Sequence, residues 1–219
     1  MGAPLRLVVY DRTDTAPIAV PRIERDADGT ARGTGGLSRW WRIGAAGHRV
    51  IRRAGASLGA ASWAEALRWT VRESEARGVP IAELQAWGHG GWGYMGMGKS
   101  RLDVHTIEGE LRAEVDAFRR VLAPGALVWL RCCSAFGNEQ GRRFAERLAT
   151  RLGARVAAHT YIIGVWQSGT HSVAPGEDAS WPEEEGLEIV SGVARGARVS
   201  APQEPMTVTC LRGGLPDGW

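Results

Sequence analysis

Apolar positions recur along this chain in two rhythms. Short apolar-rich runs at LRLVVY (5–10), Ile81 to Trp87 and Ala126 to Leu130 suit buried strands. Three other sets fall at helical spacing: Trp63, Leu67 and Val71; Leu111, Val115, Phe118 and Leu122; and Phe144, Leu148 and Leu152. The punctuation agrees. Ser62-Trp63-Ala64-Glu65 is a capping box that opens a helix over about 62–77, and Gly78 with Pro80 closes it. Pro124-Gly125 closes the second helix and Gly153 the third, which starts near Asn138; ARVAAHTYIIG (154–164) follows as a further strand. This alternation predicts an α/β fold, a three-layer α/β/α sandwich around a mainly parallel sheet.

Three stretches lack either rhythm. Residues 11–38, rich in Gly, Pro, Arg and Asp, read as a surface excursion or hairpin, and 165–186 as a long cleft loop. Residues 200–219 read as a C-terminal strand, centred on Met206 to Leu211, and a tail. With 219 residues and no linker or repeat, the expectation is one domain spanning 1–219.

Composition narrows the function classes. The formal net charge is +3, and the arginines are scattered among 24 acids, with Lys99 the only lysine. The one stripe, Arg143, Arg147 and Arg151, reads as the solvated side of a helix, so no nucleic-acid partner is expected. No run approaches the roughly 18 apolar residues of a membrane span, so no membrane partner is expected. The N-terminus lacks the pattern of a secretory signal, and three cysteines, two of them adjacent, make no disulfide framework. A cytoplasmic protein is the expectation. No Cys or His pair has zinc-type spacing, so neither metal nor other cofactor is expected.

The chemistry concentrates at strand ends. In open α/β sheets ligands bind beyond the carboxyl ends of the strands. His89 lies two residues beyond one predicted strand, among six glycines between Gly88 and Gly98, and Cys133 lies just beyond the next. On neighbouring strands the two would meet, the imidazole and a helix N-terminus favouring the thiolate. Gly90, with Gly91 and the N–H of Cys133, could hold an oxyanion. Cys132 competes for the nucleophile's role, but adjacent strand residues point to opposite faces, so only one of the pair reaches His89. His159 and Tyr161, near a strand end, and Trp166 and Asp178, in the long loop, are candidate substrate contacts.

The strand-His-Gly of LQAWGHGG, a helix, and then the strand-Cys of ALVWLRCCSAFGNEQG resemble the caspase-hemoglobinase superfamily, which includes caspases, metacaspases, gingipains, separase and bacterial CHAT-type peptidases. The resemblance covers about 81–164, and the 44 positions from His89 to Cys133 are similar to the family separation. It implies a caspase-like fold and a cysteine endopeptidase in which Cys133 attacks, His89 moves protons, and Gly90 and Cys133 supply oxyanion N–H groups. A protein or peptide substrate follows, and a regulatory partner is compatible with it. The caspase Gln-Ala-Cys-X-Gly sequence is absent, and Gly88 stands where the family has Ser before His-Gly. An idle module that binds a partner through the same cleft, or another thiol hydrolase or acyltransferase, are the alternative readings.

Overall fold

The computed structural model describes residues 4–15, 22–25, 31–34, 36–51 and 53–219. The elements run β1 (Leu5–Asp11), β2 (Arg22–Arg25), β3 (Ala31–Thr34), α1 (Leu37–Val50), β4 (Ala56–Ala60), α2 (Trp63–Arg77) and β5 (Ile81–Trp87). Next come β6 (Gly90–Gly91), β7 (Tyr94–Met97), β8 (Ser100–Asp103), α3 (Arg112–Arg120), β9 (Leu122–Arg131), α4 (Asn138–Leu152) and β10 (Arg155–His159). The chain ends with β11 (Trp166–Gln167), β12 (Thr170–Val173), β13 (Leu187–Val190), β14 (Val193–Ala197) and β15 (Val208–Thr209).

Six strands form the central sheet in the order β12-β10-β9-β5-β1-β4. All neighbours are parallel except β12, which runs antiparallel to β10 along the edge. From β4 through α2, α3 and α4 to β10 the crossovers step across the sheet, while β1 to β4 through α1 steps the other way. Right-handed crossovers therefore put α2, α3 and α4 on one face and α1 on the other. The cores agree. Trp63, Leu67, Val115, Phe118, Phe144 and Leu148 pack with Leu84, Ala86, Val128 and Leu130. Ala45 of α1 packs with Val8 and Trp87 on the reverse, and Val208 of the C-terminal segment packs on Trp129 and Ala157.

The capping box at Ser62 forms as read: Ser62 Oγ accepts from Glu65 N–H at 3.2 Å, and Glu65 reaches back to Ala61 N–H at 2.8 Å. Gly78 and Gly153 close α2 and α4 in the left-handed conformation. Several expectations change. Helix α1 and strand β4 had no forecast. The strand expected over 154–164 ends at His159, because the chain there turns to pair β10 with β12. That pairing takes Thr170–Val173 out of the long loop expected over 165–186 and into the sheet. Within 11–38 the antiparallel pair β2–β3 forms, and the remainder of that stretch is only partly among the described residues. The C-terminal strand shrinks to Val208–Thr209.

Candidate active site

Strand order reverses between β1 and β5, and this switch point is where open α/β sheets form a crevice. The carboxyl ends of β1, β5 and β9 lie side by side there, with Tyr10 opposite Trp87 and Trp87 opposite Arg131. Two residues past Trp87 comes His89, and two past Arg131 comes Cys133, so parallel register carries both side chains to one rim.

The approach of the two segments depends on Gly90. A Cβ there would stand 2.6 Å from Cys132 Sγ and 2.7 Å from the Cys133 carbonyl oxygen, so only glycine lets the strand after His89 lie against the cysteine turn. Gly90 and Gly91 pair with Met95 and Tyr94 in a hairpin, and Gly96 N–H donates to the His89 carbonyl at 2.8 Å. Antiparallel ladders alternate bonded and open pairs, which puts Gly90 at an open pair and Gly91 at a bonded one. Of the two glycines, Gly90 retains an N–H directed out of the hairpin. The hairpin itself is fixed by Asp11, a buried carboxylate at the end of β1 that accepts from Gly98 N–H at 2.9 Å. Gly98 has φ +60°, a conformation glycine takes without strain.

His89 is held from the β1 side. Its Nε2 lies 3.1 Å from Asp14 Oδ2, and the edge of its ring meets Trp41 of α1 with 5.3 Å between centroids. Asp14 is itself anchored: Oδ2 also accepts from Leu37 N–H at 3.0 Å, and its carbonyl accepts from Ser38 N–H. With Nε2 committed to the carboxylate, Nδ1 is the ring nitrogen left for chemistry. The sequence supplied no orienting partner for His89. The signal that could have found Asp14 was an acid-containing turn, DRTD, directly after the strand whose carboxyl end adjoins that of β5.

The two cysteines part as strand alternation requires. Cys132 is buried in the core beneath the three helices, whereas Cys133 is partly exposed and packs against Ile162 and Ala197 on the other side. Cys133 Sγ lies 4.0 Å from the Ile163 carbonyl, and no hydrogen bond joins it to His89 among the described residues. Burial pushes the Cys133 thiol up, not down. That direction is opposite to the thiolate favoured by the imidazole and the α4 terminus that the sequence led one to expect, and burial is its largest cause. The residue after it, Ser134, has φ +43°, which turns the chain abruptly from β9 toward α4, and Ser134 N–H donates to the Tyr161 carbonyl at 2.8 Å. A non-glycine residue in the left-handed region stores strain of about 1–3 kcal/mol.

The expected substrate contacts divide. His159 does not line an open cleft: it is fully buried, its Nδ1 lies 3.1 Å from Thr170 Oγ1, and burial lowers its pKa to about 3. Tyr161 is buried as well, donates to Glu204 at 2.9 Å, and is pushed up to about 12 by burial and by that carboxylate. Trp166 is exposed in β11, three residues past the Ile163 carbonyl that meets Cys133. Asp178 is exposed on a segment tied to α4, where Ala179 N–H donates to Glu146 and Arg142 donates to the Ala179 carbonyl. Farther along the same segment, Glu185 is engaged by His171 at 2.6 Å and by Thr160 at 2.8 Å.

Among the described residues no group of three or more His, Cys, Asp or Glu could hold a metal ion, and no helix is long and apolar enough to cross a membrane. Residues 66–171 match a domain of unknown function, DUF4347, a stretch that contains His89 and Cys133 but not Asp14 or α1. No curated protein and no solved structure matches the chain.

Proposed function

We propose that this protein is a cysteine endopeptidase of caspase-like arrangement, acting on a protein or peptide in the cytoplasm. The observation that carries this reading is the delivery of Cys133 and an Asp14-anchored His89 to adjacent strand ends at the topological switch point. The turn at Ser134 supports it, since it ends β9 abruptly and leaves Cys133 at the strand-to-helix corner.

In this reading His89 Nδ1 takes the Cys133 proton as Sγ bonds to the substrate's carbonyl carbon. The oxyanion that forms meets the Gly90 N–H, and collapse breaks the C–N bond while His89 returns the proton to the leaving amine. Water then enters by the same base and hydrolyses the thioester, restoring the thiol. Asp14 acts through His89, holding the ring in place and fixing its tautomer. A peptide panel incubated with the protein should be cleaved by wild type and Cys132→Ala but not by Cys133→Ala or His89→Ala. Cleavage that survives Cys133→Ala refutes the assignment.

The raised thiol, without a hydrogen bond to His89, favours a second reading: an idle module that binds a partner through the same rim. Iodoacetamide at neutral pH separates the two. A working pair labels Cys133 faster than Cys132 or Cys210, and equal slow labelling of all three supports the idle module.

A further inference from the structure

We propose that the outer face of α1 docks on an anionic lipid surface. This inference does not depend on the peptidase reading. The inner side of α1, with Ser38, Ala45 and His48 buried, covers the sheet. On the side away from the sheet stand Trp40, Ile43, Val50 and Ile51, exposed by 58%, 52%, 81% and 56%. At 3.6 residues per turn these four fall within an arc of about 100° that lies opposite the buried positions. Arg39, Arg42 and Arg49 are exposed on the same helix, which contains no acidic residue. The helix thus buries one face on the sheet and leaves a second, apolar one open to solvent, with arginines along one flank. Clustered exposed apolar side chains of this kind mark interaction sites.

The sequence of α1 discriminates among occupants. A second copy of the chain would bring the same arginines against each other. A partner helix would need knobs along the whole stripe, but Gly47, which stands in its middle, offers none. An anionic bilayer surface demands neither. It takes Trp and Ile at headgroup depth and pairs guanidiniums with lipid phosphates, each basic residue strengthening the attraction. An interfacial helix lies in the membrane plane, so the absence of a spanning helix does not bear on it. Because Trp41 and the Leu37 N–H at the start of α1 hold His89 and Asp14, docking by this face would bring the rim of the sheet alongside the lipid.

The test is sedimentation of the purified protein with phosphatidylcholine vesicles, with and without phosphatidylglycerol. We expect partition onto the anionic vesicles to be at least about tenfold tighter than onto the neutral ones and to weaken steeply with salt. Trp40→Glu and Val50→Glu, made separately, should each reduce it roughly tenfold by placing a carboxylate at the headgroup boundary. The triple change Arg39→Gln, Arg42→Gln and Arg49→Gln should bring it down to the neutral-vesicle level. All of these positions are exposed, and melting curves verify that each variant is folded. Cys133→Ala should bind vesicles like wild type, whatever its effect on peptide cleavage. Equal binding to both vesicle types, binding to neither, or full binding by both glutamate variants overturns the proposal. A dimer in sedimentation velocity that Val50→Glu splits would overturn it in favour of a second copy.

Discussion

Under α2, α3 and α4 the sheet presents Leu84, Ala86, Val128 and Leu130, while on its reverse the same two strands present Glu83, Gln85, Trp87, Trp129 and Arg131. The first face is dry and covered by three crossover helices. The second is covered by α1 and by the last residues of the chain, and a buried arginine is its centre. Arg131 donates to Gln167 Oε1 at 2.7 Å, to Gln85 Oε1, and to the backbone carbonyls of Thr209, Cys210 and Arg212. Its guanidinium lies 4.3 Å from the centre of the Trp129 ring, and burial lowers its pKa to about 10, still cationic near neutrality. Glu83 nearby has its carboxyl raised by burial. One layer is held by buried apolar area, whereas the other is held by a few directed bonds and so fixes where the C-terminal segment lies.

Two truncations break the comparison most strongly. Phe144→Ala, in the dry layer, should destabilise by about 3–5 kcal/mol in urea melts and leave the C-terminal segment as protected from proteolysis as before. Arg131→Ala should also cost about 3–5 kcal/mol, because it strands the buried acceptors it served. Unlike Phe144→Ala, it should expose residues 209–213 to cleavage ahead of global unfolding. Equal protection of that segment in both variants would remove the distinction between the layers.

Acid should attack the polar layer next. His159 titrates near 6.5 when unfolded but near 3 when folded, so protons bind preferentially to the unfolded chain. Stability is full above pH 6.5 and falls as pH drops from about 6.5 toward 3, by about 1.4 kcal/mol per unit. At pH 5 the loss from this residue is about 2 kcal/mol. His48, lowered to about 4 chiefly by burial, adds a loss of the same sign over a narrower window. Melts of His159→Gln across this range should show a shallower acid slope than wild type.

Smaller effects sharpen the view of the rim itself. Gly90→Ala should cost about 1–3 kcal/mol by overpacking against Cys132 and should also change the alkylation rate of Cys133, since the added methyl meets both cysteines. Asp14→Asn should move stability by about 1 kcal/mol or less, because an amide oxygen can still cap α1. It should nevertheless shift the pH profile of Cys133 alkylation, an effect a merely structural Asp14 would not produce.

The sequence was legible where burial alone sets the pattern. Helices α2 and α4, their glycine stops and strand β5 fall where apolar periodicity puts them, and the separation of Cys132 from Cys133 follows from strand alternation. Helix α1 was not legible. Its stripe points outward, its interior holds Gly44 and Gly47, and the carboxylate that caps it, Asp14, lies 23 positions upstream of Leu37. Strand β4, ASLGA, is too short and small-sided to announce itself. Of the candidate site, the two members carried by strand ends were readable, and the third depended on a contact between β1 and α1 that only the folded sheet creates. His159 and Tyr161 were misplaced because β10 stops early and turns its polar end into the interior.

Asp14 also joins both ends of the stretch that leads from β1 to α1, through its side chain to Leu37 and through its carbonyl to Ser38. In mechanical terms Asp14 is a clasp: one residue fixes where α1 begins relative to the end of β1, whatever the path of the chain between them.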